Sequence, residues 1–164
     1  MKSTYPVIYT DGSNSLKTGW CAWAVVAYYE DKVIKKRCGY EKGANGKAEL
    51  RAVCEALGLV PIGGRATIRS DAEYAINAAT KWRARWERSN FRTATGNPVK
   101  HLELIREVHR LLDERPLVRL EHVRGHSGVE GNEAADQLAK SARFIAEGKI
   151  EAKELEGILV YDKA

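Results

Sequence analysis

No stretch of about eighteen consecutive apolar residues occurs in the 164-residue chain, which excludes a helix able to cross a membrane. The opening Met1-Lys2-Ser3-Thr4-Tyr5-Pro6 lacks the apolar centre of a secretory signal, so a soluble, cytoplasmic protein with no membrane partner is expected. Cysteine is scarce: Cys21, Cys38 and Cys54 form no CxxC pair and leave one over from any disulfide, so they read as small buried hydrophobes. Acids are the minority charge, 22 against 27 lysines and arginines, and the resulting net charge of +5 favours a polyanionic partner. With 44% hydrophobic and 30% charged residues neither disorder nor a spanning segment is implied, and the length suits one core.

Val7-Ile8-Tyr9-Thr10 has the β-branched and aromatic character of a doubly buried strand, and Asp11-Gly12-Ser13 is expected to end it. An acid placed there is partly desolvated, so it either turns back on its own backbone or has a cation nearby. Strands over about 20 to 29 and 33 to 40, joined by a polar turn at Glu30-Asp31-Lys32, extend this into an antiparallel meander. From Gly46 the period becomes helical to about residue 60, and Val53, Ala56 and Val60 fall within about 40° of Glu49 around the axis. Glu49 therefore lies along the buried stripe. Ala66 to Ser70 repeats the opening pattern, a short strand meeting an acid, Asp71, before a helix over about 72 to 79. Strands that end in acids and feed helices place those acids on the carboxyl edge of a mixed sheet, where such sheets bind ligands.

Residues 81–92 hold five cationic side chains against one anionic, with Trp82 and Trp86 four apart on one helical face. The tryptophans either cover the core or face a ligand; the cations Arg83, Arg85 and Arg88 read as a phosphate-binding ridge. A helix over about 99 to 113, a strand over about 117 to 123 and a helix over about 131 to 146 follow. Asp136 borders the apolar stripe of the last helix, as a flank salt bridge would, and His126 stands in the glycine-rich loop before it. Four acids suit a pair of divalent ions, which need several shared carboxylates and otherwise take water and phosphate oxygens. A glycosidase-like carboxylate pair stays open on the acids alone, but it leaves the basic ridge without a purpose.

Tyr9-Thr10-Asp11-Gly12-Ser13, Lys47-Ala48-Glu49-Leu50, Ser70-Asp71, Gly125-His126-Ser127-Gly128 and Gly131-Asn132-Glu133-Ala134-Ala135-Asp136 occur in that order. In these motifs the chain resembles type 1 ribonuclease H, which cuts the RNA strand of RNA/DNA hybrids. The resemblance implies an α/β fold of the ribonuclease H type: a central five-stranded mixed sheet, three antiparallel strands then two parallel ones, with helices on both faces. Residues 1–146 would form this catalytic domain and 147–164 a tail without an assigned role. It further implies that Asp11, Glu49, Asp71 and Asp136 hold two Mg²⁺ ions, with Mn²⁺ as a substitute, and that His126 assists proton transfer or product departure. Ser13, Asn14, Asn45 and Asn132 would contact substrate, and Trp82, Arg83, Arg85, Trp86 and Arg88 would hold the DNA strand. The chain departs from the family at Ala44 and His101, where a threonine and an asparagine commonly grip a DNA phosphate; Lys42 or a protonated His101 is left to compensate. A monomer without a separate hybrid-binding domain is expected. The rivals are a catalytically silent binding module on the same fold and a nuclease acting on DNA.

Overall fold

The computed structural model describes residues 3–43, 46–125, 128–155 and 159–163, the last for the backbone only. His126, Ala44 and Asn45 lie outside the described residues. Strands β1 (Val7–Asn14), β2 (Trp20–Tyr29) and β3 (Lys32–Lys42) form the meander, followed by helix α1 (Lys47–Gly58). The chain continues as β4 (Ala66–Ser70), α2 (Glu73–Ala79), α3 (Arg83–Arg88), α4 (Leu102–Asp113), β5 (Val118–His122) and α5 (Glu130–Ala146). A short 3-10 turn (Ala152–Glu154) and a last strand, β6 (Leu159–Lys163), close it.

The sheet order is β5-β4-β1-β2-β3-β6, with β1 antiparallel to β2 and parallel to β4. Glu30 and Asp31 both take positive φ, 50° and 64°, which is the twist a tight hairpin between β2 and β3 requires. Ile8, Val25 and Ile68 point to one face and pack with Leu50, Val53 and Leu57 of α1 and Ile105 and Val108 of α4. Tyr9, Ala24 and Val26 point to the other face and pack on Ala135, Leu138 and Ala139 of α5. Period-two alternation along the central strands thus supplies one core on each side of the sheet.

The five expected strands form the mixed sheet, and the tail adds to it. β6 runs parallel to β3 from Arg37↔Leu159 to Glu41↔Lys163, so residues 159–163 extend the sheet. One short apolar run carries too little local signal to reveal a pairing with a strand more than a hundred residues earlier. β1 is also longer than expected. Asp-Gly-Ser does not end it, because β2 supplies antiparallel partners as far as Asn14↔Cys21. Only the parallel ladder with β4 stops early, at Thr10↔Ser70. Asp11 and Asp71 are the next residues on two strands that have just parted. The α4 helix starts at Leu102 rather than near 99 because His101 has φ 60° and ψ 34°, outside the right-handed helix.

Candidate metal centre and nucleic-acid interface

Where β1 and β4 separate, the backbone opens a crevice at the carboxyl edge of the parallel strands. Asp11 sits on β1 and is 4% exposed. Asp71 follows β4 directly, and Glu49 comes from the first turn of α1. Oxygens of these three carboxylates lie within 4.8 Å of one another. Gly12 permits this approach: a Cβ there would meet the Glu49 backbone nitrogen at 2.9 Å and the Glu49 carboxyl carbon at 3.0 Å. With no side chain at position 12, α1 rests on the β1 backbone and Glu49 reaches over the strand to Asp11. The Gly12 amide donates to Asp11 Oδ1 at 2.9 Å.

Asp136 arrives from α5, where a second glycine is decisive. A Cβ on Gly131 would overlap the Tyr9 ring, so only glycine lets the first turn of α5 press onto β1. Asp136 comes close enough to hydrogen bond with Asp11, and it also pairs with Lys140 at 3.1 Å. The flank salt bridge forms, and the same side chain faces Asp11. Lys140 could have been found by its i, i+4 spacing from Asp136. The loop ahead of His126 also passes over this cluster, since a Cβ on Gly125 would lie 2.9 Å from Asp71 Oδ2.

Burial and mutual repulsion make this group of acids costly to ionise. Asp11 is raised well above the usual carboxylate range, first by burial and then by the charges of Glu49 and Asp71, against the lowering effect of the Gly12 amide. Glu49 is raised to about 8, first by burial and then by Asp71. Glu49 Oε2 is buried and has no hydrogen-bond partner among the described residues. An unpartnered oxygen among three converging carboxylates fits a divalent cation, which would neutralise the repulsion and take that oxygen as a hard ligand.

The remaining expected site residues divide. Ser13 and Asn14 lie at the end of β1, beyond Asp11, and the Ser13 hydroxyl accepts a hydrogen bond from Arg143 Nε at 2.9 Å. Asn132 is buried in the first turn of α5, with its Oδ1 unpartnered among the described residues. Trp82 and Trp86 are half-buried, their ring centroids 5.6 Å apart, and both pack against the α1/α4 core beside Tyr74 and Phe91. Arg83 is committed within the fold: it donates both terminal nitrogens to Asp113 at 2.7 and 2.8 Å, and its Nε to Glu87 at 2.7 Å. Asp113 belongs to α4, thirty residues on, and a count of acids near the ridge could not register it. Arg85 and Arg88 are exposed and carry no ion pair among the described residues.

Burial, followed by Lys100 and Lys47, lowers the His101 pKa, which works against the protonated ring that would compensate for Ala44. Lys42 is engaged as well, donating to the Thr18 carbonyl at 3.1 Å and lying 4.1 Å from the Trp20 ring centroid.

Comparison with known proteins bears on these same elements. The RNase H family profile matches residues 3–144. The chain is 38% identical over 138 residues to "Ribonuclease H" of Schizosaccharomyces pombe, covering 82% of this chain and 51% of that protein, so it spans about half of that relative. It is 37% identical over 138 residues to "Ribonuclease H" of Thermosynechococcus vestitus, covering 81% of this chain and 85% of that protein. Among solved structures, a foamy viral protease-reverse transcriptase in complex with RNA/DNA hybrid shares the fold, with a TM-score of 0.74 and 20% identity over 86% of this chain and 20% of that one.

Proposed function

The chain belongs to the RNase H family, and from that premise we propose that it is an endonuclease hydrolysing the RNA strand of RNA/DNA hybrids. The observation that carries this reading is the convergence of Asp11, Glu49 and Asp71 from three separate elements, with a buried Glu49 oxygen left unpartnered. Asp11, Glu49 and Asp71, joined by Asp136, would hold two Mg²⁺ ions, or Mn²⁺ in their place. Such a pair supplies an acidified water and charge neutralisation at the departing 3′ oxygen, which accounts for 5′-phosphate and 3′-hydroxyl ends.

The chain's own residues do the rest. Gly12 and Gly131 set the approach of α1 and α5, which fixes the distances between carboxylates. His126 moves a proton or helps release product, since imidazole exchanges protons near neutral pH. Ser13, Asn14 and Asn45 meet the sugars and bases of the strand, where a 2′-hydroxyl separates RNA from DNA, whereas the Asn132 side chain is buried away from it. Trp82 and Trp86 present their uncovered edges beside the ridge of Arg85 and Arg88, which takes the phosphates of the DNA strand. We read the protein as a cytoplasmic monomer; among the described residues no helix is long and apolar enough to cross a membrane.

The test is a parallel digestion of labelled RNA/DNA hybrid, duplex DNA and duplex RNA with Mg²⁺. Only the RNA of the hybrid should be cut. Cutting of duplex DNA alone would give the chain to the DNA nucleases, and binding without any cutting would make it a silent module. For the ridge, Arg85→Ala with Arg88→Ala should weaken hybrid binding and reduce the slope of log affinity against log salt by about one per arginine. Arg83→Ala should leave that slope nearly unchanged and cost up to about 1 kcal/mol of stability, because its partners lie inside the fold. Equal slopes for the wild type and the Arg85/Arg88 double variant would return the ridge to ordinary surface.

A further inference from the structure

The stripe of α5 that delivers Asp136 to the acidic cluster continues for three more turns. Asp136, Lys140, Arg143 and Glu147 stand at i, i+4, i+7 and i+11, and so lie on one side of the helix axis. Ser13 stands two residues beyond Asp11 on β1 and therefore projects to the same face of the sheet. Helix and strand run in the same sense here, so Arg143 meets Ser13 just as Asp136 meets Asp11. Arg143 donates its Nε to Ser13 Oγ at 2.9 Å and its Nη1 to the Glu147 carboxylate at 3.0 and 3.2 Å. Glu147 also accepts the Thr18 hydroxyl at 2.8 Å and lies 3.4 Å from Lys149 Nζ. Its side chain is only 3% exposed and that of Arg143 18% exposed, which is unusual for an ion pair at the end of a surface helix. Thr18 belongs to the β1–β2 loop, whose tip carries Leu16 at 89% exposed.

We propose that Arg143 is a positioning residue that, clamped by Glu147 and Thr18, orients the Ser13 hydroxyl toward bound substrate and holds the β1–β2 loop against α5. The chemistry is one of hydrogen-bond direction. A serine hydroxyl has one proton and two lone pairs, and a guanidinium N–H occupying a lone pair leaves the proton to be given elsewhere. At the mouth of the acidic cluster the acceptor is an oxygen of the nucleic-acid strand lying across it. Because Nε is a fixed donor on a planar group, lysine cannot reproduce both this bond and the paired contact with Glu147. The same clamp orders the loop before substrate arrives, so its loss acts on binding more than on the chemical step.

This inference rests on the hybrid-cleaving reading. Wild-type cleavage of hybrid tests that reading alone, and the comparison of variants with wild type tests the clamp. Steady-state cleavage should show KM raised about ten-fold in Arg143→Ala, with kcat changed much less, since a charged hydrogen bond of this kind is worth about one decade. Ser13→Ala should raise KM similarly, and the Ser13→Ala/Arg143→Ala double variant should be no worse than either single change. Arg143→Lys should recover only part of the loss. Glu147→Gln, which leaves the Ser13 contact in place, should give a smaller rise in KM together with faster amide exchange in residues 15–19. Independent, additive effects of the Ser13 and Arg143 changes would overturn the proposal. So would an unchanged KM in Arg143→Ala, or a loss in that variant that follows its melting temperature and falls equally on kcat.

Discussion

Asp11→Asn is expected to lower cleavage of RNA/DNA hybrid by about a thousand-fold or more while raising the thermal stability of the metal-free protein. The carboxylate stands at the centre of the cluster, with Glu49 and Asp71 within 4.8 Å and Asp136 in hydrogen-bond contact. Removing its charge weakens the hold on divalent ions, and several kcal/mol of charge stabilisation in the transition state go with it. The folded state without metal responds in the opposite sense. Asn is nearly isosteric, keeps an oxygen for the Gly12 amide, and relieves repulsion among buried acids. A melting temperature about 3–6 °C above wild type at pH 8 without divalent ions is the expected sign of that relief. Calorimetry and hybrid digestion on the same preparation check both halves. Retained cleavage would contradict the mechanism, and a fall in melting temperature would contradict the electrostatics.

Stability without metal should decline as pH rises through the neutral range, and Mg²⁺ should reverse the decline. Asp11 and Glu49 are both raised by burial and by neighbouring carboxylates, Glu49 to about 8, whereas carboxyls of the unfolded chain titrate near about 4. Between those values the folded state binds more protons than the unfolded state. Their stabilising contribution is complete below the unfolded pKa and is lost as pH rises toward the folded one, with a slope of up to about 1.4 kcal/mol per pH unit for each retained proton. His109 works in the other direction at lower pH. Burial depresses its pKa against the raising effect of its hydrogen bond to the Ala78 carbonyl, so its contribution is lost as pH falls below about 6.5. A window of pH 7 to 8 therefore isolates the acids. Divalent ions require the ionised carboxylates and displace their protons, so the stabilisation by Mg²⁺ should grow across that window. Flat curves with and without Mg²⁺ would mean that the acids are already ionised in the fold.

The candidate acids were legible because their surroundings are local. Asp11 follows a β-branched run, Asp71 ends a strand, Glu49 sits on the apolar stripe of its own helix, and Asp136 borders another stripe; each is a pattern within about ten residues. The alternation of strands and helices likewise announced a mixed sheet, and the resemblance in the motifs implied helices on both of its faces. What stayed hidden depends on partners distant in the chain. The reach of β1 past Asp11 needed β2 beside it, and the sixth strand needed the edge of β3. Arg83 read as a free cation until α4 brought Asp113 to it, and the burial and two lysines that lower the His101 pKa come from the surrounding fold.

The sequence by itself determined which residue types stand at which strand ends and helix faces, because backbone periodicity and side-chain chemistry act over a few residues. Tertiary structure alone decided which of those residues meet. Gly12 and Gly131 show why: each is an unremarkable small residue in the chain, and each sets how closely a helix carrying an acid can approach β1. That close approach turns dispersed carboxylates into a cluster whose repulsion a divalent ion can relieve.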